Sequence, residues 1–252
     1  MARMNNATFR FYARLNNFLP PARRQRSFTL SCNPNSTVKH MIEALGVPHP
    51  EVEFILVNGK SVGFDYLIQQ DDRIAVYPPF YRLELEDAVP LRDRLTAFRF
   101  IADAHMGALA RLLRLAGFDT LYYPAIHDNE IANYCAREPY IVLTRDRELL
   151  KRSQIVYGCY VRSNKPEAQL REVFERYNLA DHAAPFSRCL VCNDTLHSVD
   201  KSVVLDSLPP LVRERHDYFL KCSGCDRVYW EGTHWENLQA QLKSLLNPTS
   251  DT

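Results

Sequence analysis

Two Cys-x-x-Cys pairs, Cys189/Cys192 and Cys222/Cys225, constrain this chain more than any other feature. A thiolate pair at i, i+3 fits a tight knuckle, and two knuckles complete a tetrahedral zinc site with no open coordination position. Such closure predicts a structural zinc rather than a catalytic one. The long spacer from Asn193 to Lys221 should hold an extra hairpin or loop. Cys32, Cys135 and Cys159 complete the seven cysteines and are scattered. An odd count, with no apolar leader in Met1-Ala2-Arg3-Met4-Asn5-Asn6, argues for reduced thiols and a cytoplasmic protein. No apolar run approaches the roughly 18 residues of a membrane helix.

Charge divides the rest of the chain. Residues 1 to 42 carry seven Lys/Arg and no acid, whereas Glu51 to Asp72 is acid-rich. The net charge of +1 supplies no global field for nucleic acid, so the basic stretch is expected to be a solvated face. Phe9-Arg10-Phe11-Tyr12-Ala13 and Ser27-Phe28-Thr29-Leu30 predict two strands around Pro20-Pro21. Val38, Met41, Ile42 and Leu45 fall at helical spacing, and Gly46 stops that helix. Phe54-Ile55-Leu56-Val57 predicts a strand closed by the Asn58-Gly59 turn, and Asp72 to Tyr77 alternates into another. The order ββαββ suggests a β-grasp module over residues 1–82, able to fold alone. A charged connector, 83–97, follows.

From Phe98 the pattern becomes strand–helix alternation, which favours a parallel sheet over 98–184. Asp103 directly follows the first of these strands, Asp128 opens the second helix, and Asp146 closes Leu143-Thr144-Arg145-Asp146. Taken one at a time, each is expected to cap the helix it precedes. Together they belong to the carboxyl-end rim of an open parallel sheet, where ligands bind. Carboxylates gathered there repel one another unless a cation neutralises them, and hard oxygen donors suit Mg²⁺ or Mn²⁺. Glu130 is a candidate fourth carboxylate. Arg145 and Arg147 flank Asp146, and Arg111 and Arg114 lie on the first helix; all four are candidate phosphate contacts for RNA. Tyr229-Trp230 and His234-Trp235 are candidates for stacking on bases or for packing around a small metal core.

The ordered motifs Phe100-Ile101-Ala102-Asp103, Gly117-Phe118-Asp119-Thr120, Asp128-Asn129-Glu130-Ile131, Leu143-Thr144-Arg145-Asp146 and Arg188-Cys189-Leu190-Val191-Cys192-Asn193 resemble the Mut-seven carboxy-terminal ribonuclease family. Tyr229-Trp230-Glu231-Gly232-Thr233-His234-Trp235 is similar as well. The resemblance implies a PIN-like nuclease with an attached zinc ribbon over 185–246, and Asp103, Asp128 and Asp146 as its acidic metal-binding positions. The amino-terminal part resembles the ubiquitin-like domain fused in front of that nuclease, and also the sulfur carriers of thiamine and molybdopterin synthesis. Those carriers need a free terminal Gly-Gly, whereas Pro78-Pro79-Phe80 here leads into more chain. The expected architecture is therefore a multidomain protein of α/β and α+β class. It joins a β-grasp domain, a PIN-like Mg- or Mn-dependent ribonuclease and a terminal zinc ribbon, and the β-grasp domain contacts a protein partner. The rival is a non-catalytic RNA- or ribosome-associated adaptor. A phospho-accepting receiver is a weaker third reading, because no positioned lysine follows its last strand. Oligomeric state is not encoded in any of these motifs.

Overall fold

The computed structural model describes residues 4–79 and 89–232. His234, Trp235, the start of the connector and the end of the expected ribbon lie outside the described residues. The chain divides into two compact units, one of Met1–Ala97 with Asp128–Tyr160, the other of Phe98–His127 with Val161–Thr252.

The first unit begins with strands β1 (Asn5–Phe11) and β2 (Phe28–Cys32), helix α1 (Val38–Ala44), then β3 (Phe54–Val57), β4 (Lys60–Ser61) and β5 (Arg73–Tyr77). They form a mixed sheet in the order β2-β1-β5-β3-β4. β1 is antiparallel to β2 and parallel to β5, and β5 is antiparallel to β3. The expected ββαββ order holds, with β4 added across the Asn58-Gly59 turn. Both turn residues have positive φ, 52° and 85°, as a two-residue hairpin requires. Alternation places Ala7, Phe9 and Phe11 of β1 inward, against Ile55, Val57, Ile74, Val76 and the α1 residues Val38 and Ile42. Thr37 caps α1 by accepting from the His40 N–H at 3.2 Å.

The same unit contains α3 (Asp128–Arg137), β8 (Ile141–Thr144), α4 (Arg147–Leu150) and β9 (Tyr157–Tyr160). β8 and β9 run parallel, with Thr144 opposite Tyr160. β8 is buried along its whole length, which explains its unbroken Ile-Val-Leu run. Pro50 of the first module packs on β9, where Gly158 leaves room: a Cβ there would lie 3.4 Å from Pro50 Cβ. The strand–helix pattern assigns 128–160 wholly to the nuclease region and gives no sign of this packing.

The second unit carries β6 (Phe100–Ala102), α2 (Gly107–Leu115), β7 (Thr120–Tyr122) and α5 (Pro166–Tyr177). β6 and β7 are parallel. Phe118 meets Phe100 and Phe174 edge-on at 5.8 and 5.6 Å, and α2 packs on α5 around these rings. The chain after Phe186 forms an antiparallel sheet of β10 (Leu196–Val199), β11 (Phe219–Cys222) and β12 (Val228–Trp230). The long spacer supplies the antiparallel pair β10–β11, and between those strands it folds into two short helices, α6 (Lys201–Val204) and α7 (Pro210–Arg215). Val204, Leu208 and Phe219 supply a small core, packed by Val199, Val212, Val228 and Trp230.

Candidate functional site

The four cysteines meet at the tips of two knuckles of similar build. In each, the residue after the second cysteine takes a left-handed conformation, Asn193 at φ 74° and Asp226 at φ 57°. In each, the first cysteine's N–H is donated back across the turn, from Cys189 to the Asp194 carbonyl at 2.7 Å and from Cys222 to the Arg227 carbonyl at 2.9 Å. The four sulfurs all lie within 4.8 Å of one another. Cys192 Sγ is 3.2 Å from Cys222 Sγ, and Cys189 Sγ is 3.7 Å from Cys225 Sγ. Tetrahedral zinc with bonds of about 2.3 Å separates its sulfurs by about 3.8 Å, so this donor set fits that ion.

Burial raises the Cys189 thiol, but the N–H groups of Cys192 and Val191 and the Tyr229 hydroxyl outweigh it and bring it down to about 6. Cys192 goes the other way, to about 12, through partial burial and hydrogen bonding among the neighbouring sulfurs. Burial likewise raises Cys222. One thiolate is thus favoured and its neighbours resist ionisation. Tyr229 Oη lies 3.1 Å from Cys189 Sγ and accepts from the Leu190 N–H at 3.2 Å. Tyr229 therefore supports the knuckle, and Trp230 packs on the small core.

The first knuckle docks on α2 and β7 through residues whose sequence pattern points elsewhere or is silent. Arg114 is buried, and its guanidinium donates to the carbonyls of Thr120 at 2.9 Å, Val191 at 2.8 Å and Leu190 at 3.3 Å. It is not available to RNA, contrary to expectation. Ala110, one turn before Arg114 on α2, is also buried, so that side of the helix is covered. Asn193 accepts from the Thr120 N–H at 2.9 Å and donates to Asp119 at 2.7 Å. Asp119 also pairs with Arg99 at 3.2 Å.

The three aspartates differ in their local roles. Asp103 is half-buried just past β6, and its Oδ1 accepts from the His105 N–H at 2.7 Å. It is not the cap of α2, which is Met106. Asp128 is the first residue of α3 rather than its cap, and pairs with Arg152 at 3.6 Å. Asp146 does cap α4: its Oδ1 accepts from the N–H groups of Glu148 at 2.7 Å and Leu149 at 3.3 Å. Its own N–H is donated to Thr144 Oγ1 at 2.9 Å. Glu130 is exposed in the first turn of α3. Within the first unit, Asp128, Glu130 and Asp146 do not gather as closely as the cysteines do. Arg111 and Arg145 are exposed. Arg147 is half-buried, and its guanidinium lies over the rings of Phe18 and Tyr160.

The family model of the Mut7-C RNAse domain matches residues 98–242, more than half of the chain. The chain belongs to the Mut7-C RNAse family. The model of the Mut7-C ubiquitin domain matches residues 4–84, ahead of the RNAse domain. No curated protein matches the chain. Among solved structures, the H. volcanii small archaeal modifier protein 1 matches at 18% identity and a TM-score of 0.25, covering 30% of this chain and 99% of its own. Within the Mut7-C RNAse region, Asp103 and Asp146 stand just past parallel strands, the usual place for chemistry-bearing side chains in such sheets. Among the described residues no helix is long and apolar enough to cross a membrane.

Proposed function

We propose that this Mut7-C RNAse family member is a cytoplasmic, Mg²⁺- or Mn²⁺-dependent ribonuclease of PIN-like fold, hydrolysing RNA phosphodiester bonds. The observation that carries the reading is the pairing of the family match over 98–242 with aspartates just beyond β6 and β8. Asp103, Asp128 and Asp146 are the carboxylates assigned to the reaction, with Glu130 as a fourth. Their donor chemistry suits a hard divalent cation, and Oδ2 of Asp146 has no protein partner among the described residues. Such an ion, when bound, supplies positive charge for the phosphate oxygens and lowers the pKa of an attacking water. Asp146, anchored through Oδ1 to two backbone N–H groups, offers Oδ2 in a fixed direction. The exposed guanidiniums of Arg111 and Arg145 are assigned to phosphate oxygens of the RNA.

The four-cysteine cluster is assigned a structural zinc, making the region after Phe186 a zinc ribbon. The ubiquitin-like domain is assigned a protein partner. The deciding experiment incubates the purified full chain with structured and unstructured RNA in Mn²⁺, in Mg²⁺ and in chelator. Cleavage that requires the metal, and that disappears in Asp103→Asn, is the expected result. Binding of RNA without cleavage under every metal condition would instead favour a non-catalytic adaptor.

A further inference from the structure

We infer that the ubiquitin-like domain acts as a built-in clasp for Asp146, with Arg147 as the positioning residue that transmits its hold. The inference rests on the proposed catalytic role of Asp146 and adds to it a function for the domain in front. Phe18, buried in the first module, and Tyr160, the last residue of β9, meet edge-on at 5.4 Å. The Arg147 guanidinium sits over both rings, 5.1 Å from the Phe18 centroid and 5.4 Å from that of Tyr160. Its Nη1 also reaches the Phe18 carbonyl at 3.5 Å. A guanidinium lying over two aromatic rings is held by its charge and its plane together.

The slot is itself fixed from the first module. Glu51 has no exposed surface, pairs with Arg14 at 3.7 Å, and accepts the Tyr160 N–H at 2.7 Å. Burying a carboxylate is costly unless it is paired and hydrogen-bonded, so Glu51 ties β9 to the module rather than merely touching it. Tyr160 lies opposite Thr144 in the parallel pair, and Thr144 Oγ1 accepts the Asp146 N–H. Arg147 opens α4, the helix whose first amides bind Asp146 Oδ1. Both sides of the Asp146 turn are thereby anchored on residues ahead of the RNAse match: one on Glu51 through Tyr160, the other on Phe18 through Arg147. A second anchor, Arg92, donates to Glu53 at 2.7 Å and to the Val156 carbonyl at 3.2 Å ahead of β9.

The test uses the full chain. In Arg147→Ala, kcat for Mn²⁺-dependent RNA cleavage should fall by roughly a hundredfold, as an ångström-scale misplacement of a reacting group does, with KM unchanged. Amide hydrogen exchange at Glu148 and Leu149 should quicken by about tenfold or more, as the cap of α4 loosens. Arg147→Lys should recover much of both, because an ammonium also lies favourably over aromatic faces. Phe18→Leu keeps an apolar side chain in the module but removes one ring, and should reproduce the loss in smaller measure. Wild-type exchange rates in Arg147→Ala overturn the inference. Faster exchange with unchanged kcat overturns it too, since the cap would then loosen without consequence for catalysis. A raised KM at unchanged kcat marks Arg147 as an RNA contact and likewise overturns the clasp. Asp146→Asn separates the two levels: full cleavage by that variant sinks the active-site reading, while the exchange rates still decide whether the clasp exists.

Discussion

The Arg114 guanidinium donates to the carbonyl of Val191 at 2.8 Å, joining helix α2 to the middle of the first cysteine knuckle. Two further carbonyls, of Thr120 and Leu190, share the same side chain. Burial draws Arg114 below the ordinary guanidinium value, and the neighbouring Cys189, Cys192, Tyr123 and Asp119 oppose that shift. Replacement by Ala would leave buried carbonyls without donors. Arg114→Ala should cost about 3 kcal/mol in denaturant unfolding of the chain, since each orphaned group adds its own penalty. A loss below about 1 kcal/mol would show that water replaces the guanidinium at no great cost.

The cysteine cluster should hold about one Zn²⁺ per chain, by elemental analysis. Cys192→Ser or Cys225→Ser should lose the ion and destabilise the region beyond Phe186. Proton release on zinc addition tests the electrostatics. At about pH 7.5 Cys189 is already a thiolate and gives up no proton, whereas Cys192 and Cys222 each give up one. Titration calorimetry in two buffers of different ionisation enthalpy reads the proton release, and buffer-independent heats would contradict it. In chelated protein the sign is also set. The depressed Cys189 value contributes stability that is present above the ordinary thiol range and is lost as pH falls through about 6.

Asp146 carries two separable roles, a cap and a proposed catalytic carboxylate. Asp146→Asn keeps an accepting oxygen and should leave the melting temperature nearly unchanged, whereas Asp146→Ala should cost about 1 kcal/mol. Both should abolish metal-dependent RNA cleavage. Melting curves beside cleavage assays for the pair separate the roles: activity that follows the loss of the cap rather than the loss of the charge would confine Asp146 to structure.

Gly117 ends α2 at φ +94°, and a Cβ there would collide with the Ala184 carbonyl oxygen. The same stretch hydrogen-bonds to the helix end, Ala184 N–H to the Ala116 carbonyl at 2.9 Å. Gly117→Ala should therefore cost about 3 kcal/mol, combining left-handed strain with overpacking. Gly59→Ala is the control: φ is +85° but nothing lies within 4 Å, so only the strain of about 1 kcal/mol remains. Equal losses in chemical denaturation would remove the collision from the account.

Some of this molecule is legible residue by residue in the chain. The cysteine spacing, the Asn58-Gly59 turn, the alternation of Phe9 and Phe11 and the Gly46 stop are local features. Each is dictated by dihedral preference or by the 2.0 and 3.6 residue periods, which need no distant partner. Asp146 is legible both as a cap and as a strand-end acid, because both depend on its neighbours in sequence.

The fate of the charged side chains was decided only in the tertiary structure. Arg114 has the same local pattern as a solvated arginine, yet its guanidinium is buried because the knuckle carbonyls, far along the chain, need a donor. Nothing around Glu51 in the sequence marks it as fully buried; the Tyr160 amide and Arg14 decide that. Arg147, spaced like a phosphate contact, is drawn into a slot made by Phe18 and Tyr160. Local period and propensity determine which elements form, whereas the desolvation of a charge turns on which groups the fold brings against it. Those groups come from elements separated by tens of residues, and sequence spacing carries no record of them.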